Sequence, residues 1–197
     1  MAWGVAGALV TLSLVLVVLS VRKGDAAAGP AMGNAGNASS EQAQSAASSG
    51  TPPDISAMTP RERFDRLFNR IMTASSSGDS TTVVNFTPMG LQAYSQLPSA
   101  DTDADARYHA ALLHAQVGDF AAARALADTI ARLDRSHLFA PLIRGTVAEL
   151  ASDPAALKAA VADFLVRWDT EMAKGRPEYQ DHKQSLDAFR AKAGRAR

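Results

Sequence analysis

The sequence predicts an all-α fold: an N-terminal transmembrane helix, a disordered linker, then an α-solenoid of about three helical hairpins closed by a C-terminal capping helix. Three observations carry this. An apolar run opens the chain, and a stretch of small polar residues follows it. Beyond that, one kind of turn recurs at Gly78-Asp79, Gly118-Asp119 and Ser152-Asp153, at intervals of 40 and 34 residues. The domain boundaries follow directly: 1–23 for the span, 24–58 for the linker and 59–197 for the helical domain.

Ala2 to Val21 is apolar apart from Thr11, Ser13 and Ser20. Twenty residues rising about 1.5 Å each cover about 30 Å, the thickness of a bilayer core. No Lys or Arg precedes the run, and it exceeds the usual length of a signal-peptide apolar region. Residues 2–21 are therefore read as an uncleaved anchor. Ala26-Ala27-Ala28 leaves the alternative of a small-residue cleavage site. Arg22 and Lys23 after the span favour a cytoplasmic C-terminal bulk by the positive-inside rule. The composition of the following tether points the other way.

Gly24 to Met58 is built from Ala, Gly, Ser, Asn, Gln and Pro, almost without charge or large apolar groups. Such a stretch buries too little surface to offset its chain entropy. As a flexible coil it reaches about 30 Å. The first solenoid helix starts at Thr59-Pro60-Arg61-Glu62, a capping box with Pro at the first helical position. Phe64, Leu67, Phe68, Ile71 and Met72 then form one apolar stripe. The next helix carries Val83, Val84, Phe86, Leu91, Tyr94 and Leu97, and Pro88 predicts a kink or restart within it.

Asp101, Thr102 or Asp103 can cap the central helix, which holds Tyr108, Ala111, Leu112 and Ala115. After Gly118-Asp119, Phe120, Ala123, Leu126, Ala127, Ile130 and Leu133 mark the inner face of its partner. Leu138, Leu142, Ile143, Gly145 and Val147 belong to the next helix. Asp153-Pro154 starts the one after it, with Leu157, Val161, Phe164, Leu165 and Trp168 inward. Tyr179, Leu186 and Phe189 give the last helix a thin apolar seam, as the end of a solenoid requires.

The chemistry these residues exclude is considerable. Formal net charge is zero, so there is no long-range field for nucleic acid. There is no cysteine, hence no disulfide, thiol nucleophile or Cys-ligated zinc. His109 and His114 stand about 140° apart on a helix and cannot share a ligand face. Asp101-Thr102-Asp103-Ala104-Asp105 lacks the Gly and terminal Glu of a calcium loop. No phosphate-binding loop, nucleophile elbow or His-Glu-x-x-His is present. The expectation is a non-enzyme without metal or cofactor. A helical-bundle enzyme or ligand-binding protein is the competing class.

The central hairpin resembles a tetratricopeptide repeat (TPR). The likeness lies in small Ala111 midway along its first helix, Gly118-Asp119-Phe120 at the turn, Ala123 early in the second helix and Leu133-Asp134 at its end. The period near 34 agrees. Arg135 stands where the family often has Pro, and Arg107 where it often has a bulky apolar residue. The third copy keeps small Gly145, and the first has bulky Ile71. The resemblance spans about residues 60 to 175 and implies a protein-binding groove lined by the first helix of each pair. Asp105, Tyr108, Leu112, Ala115 and Gln116 would line it in the central copy, and Phe139, Leu142, Thr146 and Glu149 in the third. Such a groove fits an apolar or helical segment of a partner protein. The layout of span, tether and repeats is similar to envelope scaffolds of the bacterial inner membrane. It is also similar to assembly or chaperone factors for secreted proteins or c-type cytochromes. Both imply a soluble domain leaning to the periplasmic side. Oligomeric state is left open.

Overall fold

The computed structural model of the chain describes residues 58–192. The expected membrane span and linker lie outside the described residues. Within them the structure is all-helical, with no strand, and no helix is long and apolar enough to cross a membrane. Eight α-helices follow one another: α1 Pro60–Ser76, α2 Ser80–Ser95, α3 Ala104–Gln116, α4 Phe120–Leu133, α5 Phe139–Leu150, α6 Pro154–Met172, α7 Pro177–Asp181 and α8 Lys183–Ala191. One 3-10 turn, Ser99–Asp101, leads into α3. Helices α1–α2, α3–α4 and α5–α6 pair as hairpins, and the first helices α1, α3 and α5 touch in sequence.

The chain enters α1 as its sequence dictates. Thr59 Oγ1 accepts from the Glu62 amide (3.2 Å), and Glu62 Oε2 accepts from the Thr59 amide (2.8 Å). Phe64, Phe68 and Ile71 are buried along one face, with Val83 of α2 and Leu113 of α3 in the same cluster. A second cluster joins α3 to α6 and includes Tyr179, Leu186 and Phe189 of the C-terminal segment. Leu112 and Leu126 pack against both clusters and so bridge them.

The three hairpin turns have one geometry. Gly78, Gly118 and Ser152 take φ of 77°, 78° and 54°. The next residue is Asp each time, and its amide donates back to the carbonyl of Ala74 (2.9 Å), His114 (2.9 Å) or Ala148 (2.8 Å). Together with the shorter bond from the left-handed residue, this is a Schellman helix end. The same Asp then caps the next helix: Asp79 accepts from Thr82, Asp119 from Ala122 and Asp153 from Ala156, at 2.9–3.1 Å. One Gly/Ser-Asp pair therefore ends one helix and starts the next.

Two details depart from the sequence reading or narrow it. Helix α2 runs unbroken through Pro88, so there is no restart. Proline removes the donor to the Val84 carbonyl, and Val84 is exposed, where water can satisfy that group. Of the three candidate caps for α3, Asp103 is the one used; its Oδ1 accepts from the Ala106 amide at 2.8 Å.

Ser152 is the one described non-glycine residue in the left-handed region. A side chain there costs about 1 kcal/mol or more, while glycine carries its own entropic cost in the unfolded chain. Ser152→Gly is expected to raise stability by about 0.5 kcal/mol, and Gly118→Ala to lower it by about 1 kcal/mol. Urea denaturation followed by circular dichroism checks both signs; a destabilising Ser152→Gly would contradict the shared-turn account.

Candidate functional site

Helices α3 and α5 present their inner faces side by side, and the C-terminal segment lies on them. Tyr108 of α3 stacks on Phe139 of α5, with ring centroids 4.4 Å apart and planes 20° apart. His182, at the junction of α7 and α8, stands edge-on to both rings at 4.9 and 5.4 Å. The segment follows α5 from start to finish. Tyr179 Oη accepts from the Leu138 amide at 2.9 Å, Phe189 packs over Gly145, and Lys192 pairs with Glu149. Phe189 also meets Phe164 of α6 edge-on at 5.0 Å. Tyr179, Leu186 and Phe189 are almost fully buried, contributing about 1.5–3 kcal/mol apiece by apolar transfer.

Polar contacts fix the root of this segment. Arg176 bonds Asp134 (2.5 Å) and Glu171 (3.2 Å), and Tyr179 Oη donates to Glu171 at 3.0 Å. Lys174 closes the ion pair on the other oxygen of buried Glu171. Asp134 is held down to about 2, first by the Ser136 hydroxyl, with the Ser136 amide and Arg176 adding to it against the opposing effect of burial. His137 Nδ1 faces the Phe139 amide at 3.2 Å, which leaves the ring proton on Nε2, facing Glu178 at 3.2 Å. Burial, helped by the Arg176 charge, keeps His137 below its usual range and neutral, against the pull of Glu178.

At the other end of the face lies a charged cluster. Arg61 of α1 bonds Asp65 (2.9 Å), Asp103 (3.0 Å) and Asp105 (2.5 Å). His109 stacks on Phe68 at 3.8 Å and brings Nδ1 to 3.4 Å from Asp65. His182 Nε2 lies 2.7 Å from Asp105 Oδ1 and 3.2 Å from His109 Nε2. Burial alone would raise Asp105. The hydrogen bond from His182 and the charges of His109, His182 and Arg61 together outweigh it and hold the group below the usual carboxylate range.

Of the nine expected groove residues, Ala115 is buried, Thr146 is half-buried and Glu149 is exposed and paired with Lys192; the other six divide in two. Tyr108, Phe139 and Leu142 are 3 %, 0 % and 4 % exposed and belong to the α3–α6 core. Asp105, Leu112 and Gln116 are half-buried; Asp105 is held by Arg61 and His182, and Gln116 accepts from Ser75 of α1 at 3.0 Å. Burial pushes the Tyr108 hydroxyl up to about 12, partly offset by Ser185 of α8. With the C-terminal segment in place, the aromatic part of the face is covered. His109, His182, Asp65 and Arg61 were not singled out as site residues by the sequence. His114 does point elsewhere, to Asp119 at 3.0 Å; the partner of His109 is 73 residues away.

Two shallow clefts lie apart from this face. One of about 430 Å³ is lined by Arg124, Asp128, Arg144 and Asp163, and one of about 390 Å³ lies at the α5–α6 turn. Comparison with protein-family models, curated proteins and solved structures gives no match.

A Cβ on Gly145 would run into the Phe189 ring. Gly145→Ala is therefore expected to cost about 1–3 kcal/mol and to displace α8. Hydrogen exchange should rise over 183–191 and stay unchanged in α1–α2. Unchanged exchange in α8 would show that the segment is not packed through this contact.

Proposed function

We propose that the chain is a membrane-tethered, TPR-like interaction module. It scaffolds a bacterial envelope complex and takes apolar or helical segments of partner proteins on the α3–α5 face. One observation carries this reading: that face, together with the adjoining side of α6, already takes an amphipathic helix in cis. Helix α8 turns Leu186 and Phe189 inward and leaves Lys183, Asp187 and Arg190 in water. A surface that seats one such helix has the aromatic floor and the polar rim needed for another. Three hairpins with one turn geometry and adjacent first helices support the solenoid part of the reading.

In this reading the C-terminal segment is the resting occupant. A partner helix competes with it, or extends from Leu112 and Gln116, which remain half-exposed. The tether lets the module search near the inner membrane, with the helical domain on the periplasmic side. Assembly or chaperone work for secreted proteins or c-type cytochromes falls within the same binding mode. No reaction is assigned, because no cleft described above gathers converging catalytic groups.

Photo-crosslinking residues placed at Leu112, at Gln116 and at Val166, which is 86 % exposed on α6, test this in native membranes. Discrete adducts from Leu112 and Gln116, absent from Val166, are the expected result. Equal labelling at all three positions, or no adduct from the face, would remove the groove reading.

A further inference from the structure

We propose that Asp105, His109 and His182 form a binding site for a divalent first-row transition ion, zinc in the first instance, that fastens the start of α8 to α3. The site goes beyond the partner-binding reading and stands whether or not the face takes a partner.

The geometry is that of a ligand triangle. Asp105 Oδ1, His182 Nε2 and His109 Nε2 are separated by 2.7, 3.2 and 3.6 Å. Ligand atoms about 2.1 Å from one metal ion lie about 3.0–3.4 Å from each other, so the triangle closes round an ion with small adjustments. Protons satisfy it less well. Each neutral imidazole carries one N–H. If His182 Nε2 donates to Asp105, it has no lone pair for His109. If His109 donates to His182, then Asp105 Oδ1 faces a bare nitrogen lone pair at 2.7 Å. A cation at the centre satisfies all three atoms at once.

The surroundings fit as well. Asp65 stands 3.4 Å from His109 Nδ1 with no hydrogen bond formed, and that nitrogen is buried without any other partner. A proton on Nδ1, turned toward Asp65, leaves Nε2 as the free ligand. A carboxylate behind a ligating histidine is the usual support for a metal site. Around Arg61, one guanidinium meets three carboxylates; a bound ion requires both imidazoles to give up their extra protons, which leaves two formal negative charges. A divalent ion balances them. Two imidazoles and one carboxylate select zinc and its neighbours over magnesium or calcium, which require oxygen ligands. Three protein ligands leave a coordination position for water. Because they come from α3 and the α7–α8 junction, 77 residues apart at the extremes, the ion serves as a fastening. The ion therefore governs whether the C-terminal segment stays on the α3–α5 face.

The test uses the full chain, purified in detergent without a polyhistidine tag and stripped with a chelator. Zinc is titrated by calorimetry, and cobalt by visible absorption. One ion per chain with micromolar or tighter affinity is expected, with cobalt ligand-field bands and a rise in melting temperature on adding zinc. Magnesium should give neither binding nor a rise. His182→Gln and Asp105→Asn should each weaken zinc binding roughly tenfold or more and remove the thermal shift. His114→Gln should change nothing. His109 is packed on Phe68, so His109→Gln is judged only if its circular dichroism matches the parent; His182, half-buried, decides the matter. Absence of a stoichiometric ion, unchanged affinity in His182→Gln, or equal loss in His114→Gln would overturn the proposal.

Discussion

The packing of α7–α8 against α3, α5 and α6 is the constraint on which the described structure depends. Tyr108 and Phe139 form an aromatic floor that one face of a hairpin stack cannot bury alone. Tyr179 and His182 cover it, while Phe189 packs farther along, over Gly145 of α5 and against Phe164 of α6. In exchange, the short C-terminal helices gain an environment they could not make themselves, since helices of five and nine residues are marginal in isolation. The polar contacts at each end follow the same logic. Arg176, Glu171 and Asp134 fix the root, while Asp105, His109 and His182 fix the junction between the two helices.

This arrangement links fold to function through accessibility. Residues that define a binding face in a bare hairpin stack are here interior residues. On the proposed interaction reading, a partner would reach the half-exposed edge at Leu112 and Gln116 or displace the chain's own segment. Gly145 sets how closely that segment can approach, because any Cβ there meets Phe189. Its small size, which the sequence suggests as a helix-crossing feature within a hairpin, serves the contact with α8 and the one with Ala160 of α6 together.

Local features were legible in the sequence, and long-range ones were not. The capping box at Thr59, the helix start at Asp153-Pro154 and the three recurring turns involve residues within six of each other, so their chemistry shows in the chain itself. The sequence even exposes Ser152 as an equivalent of Gly78 and Gly118. The restart that Pro88 allowed does not occur, because a single missing donor near solvent costs too little to break a packed helix. The covering of Tyr108 and Phe139 was out of reach, since it depends on where a segment 40 to 74 residues later returns. The same holds for His109: helical spacing correctly separates it from His114, but no local pattern connects it to His182.

The C-terminal segment is held on the α3–α5 face and the adjoining side of α6. The chain has no cysteine, so spin labels at Ala125→Cys on α4 and Ala188→Cys on α8 report on this without background. Both positions are exposed. Pulsed dipolar spectroscopy of the full chain should give one narrow distance distribution. A broad distribution, spread as for a detached helix on a flexible joint, would contradict the account.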